Sequence, residues 1–189
     1  MNKYIIHAFL DEMEKIAEEK RYRPKVQALL YTPDYKILAS KGQGSGSGLR
    51  AYSNYKFPGG GIEQGETTSQ AARKELLEEA GYSTAKDPYD FGYSKTVKWD
   101  KAFRQQALAK GRDYHGEVSH FMAAPVGKRD TSKLGAEGDQ LEGAQFIPIN
   151  DLIRDLKHTS TDPANEYAQF DKMKLQALRQ FKLHHGLDI

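Results

Sequence analysis

Three glutamates on neighbouring turns of one predicted helix form the most chemically informative cluster in the sequence. Glu75, Glu78 and Glu79 are three and four residues apart, so their carboxylates lie on one helix face. Like charges at this spacing repel, which would destabilise a helix that had only a structural role. A hard divalent cation removes the repulsion, and carboxylate oxygens are the ligands that such a cation prefers. The alternative interpretation is a solvated acidic helix face.

The residues before this helix are also of the types that a metal or phosphate site requires. The run Gly59-Gly60-Gly61 lets the backbone approach a phosphate or direct a carbonyl at a metal, because no side chain intervenes. Glu66 adds a fourth carboxylate or orients the others. Because the glycine run and Glu66 accompany the three aligned glutamates, we favour a metal site over a solvated face.

Local signals define the helix that carries the glutamates. Thr67 and Gln70 form a capping-box pattern, which predicts that the helix begins at Thr68. Gly81 supplies the left-handed residue that ends it. A separate apolar face is expected to pack on a sheet, and its members are Ala72, Leu76 and Ala80.

The segment over residues 60–82 resembles the box of the Nudix hydrolase family. The matching positions, at the spacing of the family pattern, are Gly60, Glu66, Glu75, Leu76, Glu78, Glu79, Gly81 and Tyr82. The resemblance is specific for the family and says little about the substrate. It implies an α/β fold, namely a Nudix-type α/β/α sandwich with a mixed central sheet and extra N-terminal and C-terminal helices. We expect a single domain over residues 1–189.

The resemblance also implies a reaction in which water attacks a diphosphate that links a nucleoside to another group. Mg²⁺ or Mn²⁺ would hold the phosphates. By the same resemblance Glu78 and Glu79 are metal ligands, Glu75 is a ligand or a base, and the carbonyl of Gly59 is a further ligand.

Members of the family often recruit one more carboxylate from a later loop, as a ligand or a general base. The acidic loop over residues 137–142 precedes the last predicted strand. Glu137 is the first candidate there, and an ordinary surface loop is an equally good interpretation. The other candidates are Asp139, Glu142 and Glu117.

One box position departs from the family pattern, because Lys74 stands where an arginine is usual. A guanidinium forks two hydrogen bonds to carboxylate oxygens, whereas an ammonium is a compact point charge. We expect Lys74 to screen and position Glu78, and activity to survive at a reduced level. Arg73 is a poor replacement, because adjacent helical residues point about 100° apart.

A basic insertion over about residues 95–115 is the candidate for substrate recognition. It carries six Lys or Arg residues and two Asp residues, a local excess of four positive charges. Lys98 and Arg104 could attract phosphates, and Trp99 could stack on a base. The alternative is a solvated helix and loop around a buried tryptophan.

Composition excludes several other classes of function. The chain has 189 residues, a formal charge of +2 and no cysteine, so disulfides, thiolate metal sites and cysteine nucleophiles are ruled out. The balanced charge does not itself require a polyanionic partner. The apolar stretch at residues 4–10 is too short to span a bilayer. We therefore expect a cytoplasmic protein with no membrane partner.

Hydrophobic periodicity and turn residues predict the remaining elements. Residues 42–48 read as a glycine-rich loop, and an apolar stripe at Phe170, Met173, Ala177 and Phe181 reads as core rather than dimer interface. A monomer and a homodimer both stay open. Helices are expected over residues 3–20, 101–110, 150–157 (capped by Asn150) and 163–184 (beginning at Pro163). Strands are expected over residues 25–31, 36–40, from 55, 91–98, 118–124 and 144–149.

The leading functional hypothesis is a metal-dependent pyrophosphohydrolase that acts on a small nucleotide, such as ADP-ribose or a dinucleoside polyphosphate. A second hypothesis is removal of a 5′ cap from RNA, which the basic insertion motivates. A third is a nucleotide-binding regulator that does not cleave its ligand, for which Lys74 is the supporting residue.

Overall fold

The computed structural model describes residues 22–41, 55–135, 141–163, 165 and 167–188. The helix expected over residues 3–20 and the loop at residues 42–48 lie outside them. The chain forms two compact units, of which the described parts are residues 22–24 with 96–118, and residues 25–95 with 119–188. A single domain over residues 1–189 stays a prediction.

The described residues form seven strands and four helices. The strands are β1 (Tyr22–Tyr31), β2 (Lys36–Lys41), β3 (Tyr55–Lys56), β4 (Tyr82–Thr84), β5 (Tyr89–Lys98), β6 (Gly116–Arg129) and β7 (Gln145–Pro148). The helices are α1 (Thr68–Ala80), α2 (Lys101–Ala109), α3 (Ile149–Thr159) and α4 (Ala168–His184). Within the described ranges the predicted order of elements is confirmed, and the short strand β4 is an addition that the sequence did not predict.

The strands form one mixed sheet in the order β3-β2-β1-β6-β4, with β5 on β6 and β7 on β2. Strand β2 is antiparallel to β1, β3 and β7. A turn joins β1 to β2, and the Thr32 hydroxyl donates to Asp34 Oδ1 at 2.6 Å within it. Strand β3 has only two residues, yet it leads directly into the glycine run.

Alternate residues of β1 face different helices. Val26, Ala28 and Leu30 belong to the buried cluster that includes Leu76 of α1. Tyr31 points to the opposite face, because successive side chains of a strand alternate, and its ring lies 5.2 Å from that of Phe181 in α4. Helices α1 and α4 therefore cover opposite faces of the sheet, which confirms the predicted α/β/α arrangement.

The starts of both C-terminal helices differ from the prediction. Asn150 does not cap α3, which begins at Ile149 without a side-chain cap; its Oδ1 instead accepts a hydrogen bond from Lys182. Pro163 does not begin α4. The Asn165 side chain accepts from the Tyr167 amide at 2.9 Å, and this local bond favours a turn over a helix.

The apolar stripe of α4 packs in the core, as predicted, with Met173, Ala177 and Phe181 no more than 3% exposed. Across the described ranges, no helix has the length and apolar character needed to cross a bilayer.

Candidate active site

Helix α1 has the boundaries that its caps predict. The Thr67 hydroxyl accepts from the Gln70 amide at 3.2 Å, and the Gln70 side chain accepts from the Thr67 amide at 2.9 Å. Gly81 ends the helix with φ of 68°. Burial of the face formed by Ala72, Leu76 and Ala80 fixes the rotation of α1 about its axis, and thereby directs the glutamates away from the core.

The glycine turn after β3 lies directly against the backbone of β1. The Ala28 amide donates to the Pro58 carbonyl at 2.8 Å, and the Val26 amide donates to the Gly60 carbonyl at 2.9 Å. A Cβ at Gly59 would come closer than 3.0 Å to the Val26 carbonyl oxygen. Gly59 is therefore required by packing on a neighbouring strand, a reason that the sequence did not reveal.

The glycine turn also contacts two of the three glutamates. The Gly59 amide donates to Glu79 Oε2 at 2.8 Å. A Cβ at Gly60 would overlap the Glu75 carboxylate, so that carboxylate occupies the space above the glycine. The structure thus brings Gly59, Glu75 and Glu79 together, while the Glu78 side chain is exposed.

The charges around Glu75 are unbalanced. Burial raises the pKa of the Glu75 carboxyl, and the charge of Glu78 raises it further. Lys74 and Lys25 act in the opposite direction without compensating fully. The site accordingly holds more negative charge than its own lysines neutralise.

Lys74 binds a partner that the sequence analysis did not identify. Its ammonium donates to Glu63 Oε1 at 2.5 Å, which lowers the pKa of Glu63 and raises that of Lys74. Glu66 Oε2 accepts from the Glu63 amide at 3.0 Å. The ion pair of Lys74 and Glu63 therefore links the loop before α1 to the helix. Lys74 was expected to position Glu78, but its hydrogen bond is made to Glu63. Arg73 points elsewhere, as predicted, and pairs with Asp87.

The segments on both sides of residues 136–140 are attached to the C-terminal end of α1. The Gly135 amide donates to the Glu78 carbonyl at 2.8 Å, and the Leu141 amide donates to the Glu79 carbonyl at 2.8 Å. These bonds satisfy carbonyls that the helix itself leaves without partners.

The additional carboxylate stays a prediction. Glu137 and Asp139 lie outside the described residues. Glu142 is exposed, and its backbone carbonyl accepts a hydrogen bond from the Ser40 hydroxyl. Glu117 is buried in the smaller compact unit, which comprises residues 22–24 and 96–118.

The candidate substrate-binding residues lie in this smaller unit or at its edge. Asp100 caps α2, and its Oδ1 accepts from the Phe103 amide at 2.8 Å. The Trp99 ring lies 6.0 Å from that of Phe103, and its buried Nε1 has no hydrogen-bond partner among the described residues. Arg104 Nη2 is 3.9 Å from Asp113 Oδ1, and Lys98 is exposed. Their role in binding stays a prediction.

The donor set of α1 fits a hard divalent cation in its chemistry. Glu75, Glu78 and Glu79 supply carboxylate oxygens on one face, and Gly59 supplies a backbone carbonyl. Within the described ranges, however, no three Asp, Glu or His side chains are close enough together to hold an ion as they stand. The assignment of these residues as ligands therefore rests on their chemistry and not on a preformed cage.

Comparisons with known proteins bear on the family and the fold of the chain. A protein of Helicobacter pylori named RNA pyrophosphohydrolase is 27% identical over 140 residues, which are 71% of this chain and 83% of that protein. A structure titled ADP compounds hydrolase has a TM-score of 0.53 at 19% identity, covering 87% of this chain and 75% of that one. An Ap4A hydrolase of C. elegans has a TM-score of 0.51 at 15% identity, covering 87% and 98%.

The two structural matches show the fold alone, because their sequence identities are low. The family itself is shown by residues 21–169, which match the profile described as NUDIX domain and include every residue from the glycine turn through α3. The chain therefore belongs to the Nudix hydrolase family.

Proposed function

We propose that this Nudix hydrolase is a pyrophosphohydrolase that depends on Mg²⁺ or Mn²⁺ and cleaves the diphosphate of a nucleotide. Divalent metal ions are general in the family. The observation that supports the proposal best is the attachment of Glu79 to the Gly59 amide, with the Glu75 carboxylate packed over Gly60. This arrangement places carboxylate oxygens beside a backbone turn that has no side chain at Gly59 or Gly60, as a phosphate-metal site requires.

The residues named above have distinct proposed roles. Glu78, Glu79 and the Gly59 carbonyl would hold the ion, and Glu75 would act as a further ligand or as the base. When bound, a divalent ion neutralises phosphate charge and lowers the pKa of coordinated water. The chain's own contribution is orientation, because the Gly59 amide fixes one oxygen of Glu79 at 2.8 Å.

Substitution of Glu79 tests the ligand assignment. Glu79→Gln keeps the size of the side chain but removes its charge, so we expect hydrolysis to fall by at least about a hundredfold. The matched control is Asp87→Asn, which removes an exposed carboxylate that pairs with Arg73 and has no proposed role in the site. Circular dichroism should show the same fold for the wild type and both variants. Normal turnover in Glu79→Gln would contradict the assignment.

A substrate panel distinguishes the candidate nucleotides. It contains ADP-ribose, diadenosine tetraphosphate, NADH and nucleoside triphosphates, each with Mg²⁺ or Mn²⁺. We expect the highest kcat/KM with a small nucleotide that carries an internal diphosphate. Tight binding without turnover of any compound would favour the alternative of a non-catalytic regulator.

RNA carrying a 5′ phosphate chain or cap is the second candidate substrate. Two observations favour it, namely the similarity to the Helicobacter pylori protein named RNA pyrophosphohydrolase and the four excess positive charges over residues 95–115. If RNA is the substrate, added salt should weaken cleavage of 5′-triphosphorylated or capped RNA more than cleavage of free nucleotides, because contacts to several phosphates release counterions. Trp99, Lys98 and Arg104 are the residues to substitute in that comparison.

A cytoplasmic location, the choice between monomer and homodimer, and the role of Glu137 stay predictions.

A further inference from the structure

Strand β3 is too short to hold its own position. It pairs with β2 through only two residues, Tyr55 opposite Lys41 and Lys56 opposite Ser40. Two ladder positions give few hydrogen bonds, and short isolated pairings are marginally stable in water. Only Phe57 and Pro58 separate this strand from the glycine run. Other contacts must therefore fix the place from which the turn begins.

Tyr55 is held at its backbone and at its hydroxyl by different helices. Its carbonyl accepts a hydrogen bond from Lys174 Nζ of α4 at 2.5 Å, and its hydroxyl donates to Asp155 Oδ2 of α3 at 2.8 Å. The tyrosine is 4% exposed and Lys174 is 7% exposed, so water competes little for the bond between them. Asp155 is partly exposed. Together, Asp155, Tyr55 and Lys174 form what we term the Tyr55 anchor.

The charge of Lys174 is kept in the core by a buried partner. Asp171 is fully buried, its Oδ1 is 3.8 Å from Lys174 Nζ, and its Oδ2 accepts from Asn165 at 3.0 Å. Replacing a buried ion pair by apolar residues is often neutral or stabilising, so stability alone does not explain a charged pair at this place. The pair does direct an ammonium at the Tyr55 carbonyl.

The backbone between Tyr55 and the glycine turn is short and constrained. Phe57 is 5% exposed, and the ring of Pro58 restricts φ. The next residue, Gly59, donates the hydrogen bond that orients Glu79. A displacement at Tyr55 is therefore transmitted to the Gly59 amide across three residues, of which Phe57 and Pro58 have little freedom to absorb it.

We infer that Lys174 is a positioning residue for the hydrolytic site, acting through the Tyr55 carbonyl on Gly59 and Glu79. This inference rests on the proposed role of Glu79 as a metal ligand. It extends the functional machinery to α4, which lies outside the 60–82 box. The ammonium does not touch the substrate or the ion.

The test compares two lysines of the same helix. The double variant Asp171→Asn with Lys174→Met removes both buried charges at once and leaves no unpaired charge that could unfold the protein. The control is Lys182→Met. Lys182 is also 7% exposed, but it donates to Asn150 Oδ1 of α3 and not to β3. Thermal denaturation identifies a temperature at which the wild type, the double variant and Lys182→Met are all folded.

Two measurements are made on each folded protein. The first is hydrogen exchange of the Gly59 amide by NMR without metal, which reports the bond to Glu79 directly. The second is Mn²⁺ affinity, measured by the electron paramagnetic resonance of free Mn²⁺. In the double variant we expect about tenfold faster exchange and about tenfold weaker Mn²⁺ binding, as for lost partners of metal ligands. Both values should be unchanged in Lys182→Met.

The outcomes separate this inference from the proposed function. Unchanged Gly59 exchange in the double variant overturns the positioning role, whatever the metal affinity of the wild type. Equal changes in Lys182→Met also overturn it, because they would show a general loss of helix packing. If the wild type binds no Mn²⁺ at all, the metal assignment fails. Even then, faster Gly59 exchange in the double variant but not in Lys182→Met would support the positioning role of Lys174.

Discussion

The Gly59 amide donates a 2.8 Å hydrogen bond to Glu79 Oε2, and this bond joins the glycine turn to the helix that carries the glutamates. The turn is fixed on its other side by β1, through the Pro58 and Gly60 carbonyls. The two adjacent glycines consequently face different neighbours. Gly59 packs on backbone, and Gly60 packs on the end of a side chain.

Substituting Gly60 should impair chemistry more than folding. In Gly60→Ala the new methyl group meets the Glu75 carboxylate, which is the flexible end of a side chain and can move. We expect the unfolding free energy to change by less than about 1 kcal/mol, while kcat/KM falls at least about tenfold. Urea denaturation and turnover measure the two effects. The control is Gly135→Ala, where the nearest atom lies at 3.5 Å, an ordinary contact; equal activity losses in both variants would contradict this prediction.

Substituting Gly59 should impair folding. The Cβ of Gly59→Ala would overlap the Val26 carbonyl oxygen, which belongs to the backbone of β1 and cannot turn aside. Overpacking of this kind costs about 1–3 kcal/mol. The melting temperature of Gly59→Ala should therefore be clearly lower than that of Gly60→Ala. The opposite ranking would show that the turn is not packed against β1 as described.

The ion pair of Lys74 and Glu63 should act as a unit. The Glu63 side chain is exposed and that of Lys74 is partly exposed, so we expect little loss of thermal stability when either is removed. Lys74→Met and Glu63→Gln should each lower kcat/KM a few-fold, by about the same factor, and the double variant should be no worse than either single one. Additive losses would mean that Lys74 acts on another group, such as Glu78. Lys74→Arg should retain activity, because a guanidinium can also reach Glu63.

Alkaline pH should weaken the Tyr55 anchor. Burial, reinforced by the hydrogen bond to Asp155, raises the pKa of the Tyr55 hydroxyl to about 12 from an ordinary value of 10.0. The folded state therefore holds this proton more tightly than the unfolded state does. The stabilisation is complete below pH 10 and is lost as the pH rises towards 12, on the order of 1 kcal/mol after allowance for solvent screening.

The variant Tyr55→Phe isolates this contribution from those of the other tyrosines. Its unfolding free energy should decline less steeply than that of the wild type between pH 10 and pH 12, as measured by urea denaturation. Parallel declines in the two proteins would indicate that the Tyr55 hydroxyl titrates normally.

Helix α1 could be predicted closely because its signals are local. The capping box of Thr67 and Gln70, the terminal Gly81 and the apolar face all lie within the helix or at its ends. The alignment of the three glutamates also follows directly from helical spacing.

Contacts between distant segments could not be predicted in the same way. The reason for Gly59 is the carbonyl of Val26 on another strand, and the partner of Lys74 is set by the path of the preceding loop. Asn165 prevents a helix from beginning at Pro163 through a side-chain bond that competes with the helical backbone. Lys174 reads in the sequence as an ordinary polar residue, and only the fold places its ammonium at Tyr55.

The hydrogen bonds from Gly135 and Leu141 to the last carbonyls of α1 have an evolutionary consequence. Both bonds are made to the same end of α1, and they hold the two flanks of segment 136–140 there. The distance between Gly135 and Leu141 therefore does not depend on the residues that lie between them. Changes in the length of segment 136–140 would therefore leave the three glutamates of α1 in place. An additional carboxylate in this segment is thus free to be gained, lost or moved during divergence without displacing those glutamates.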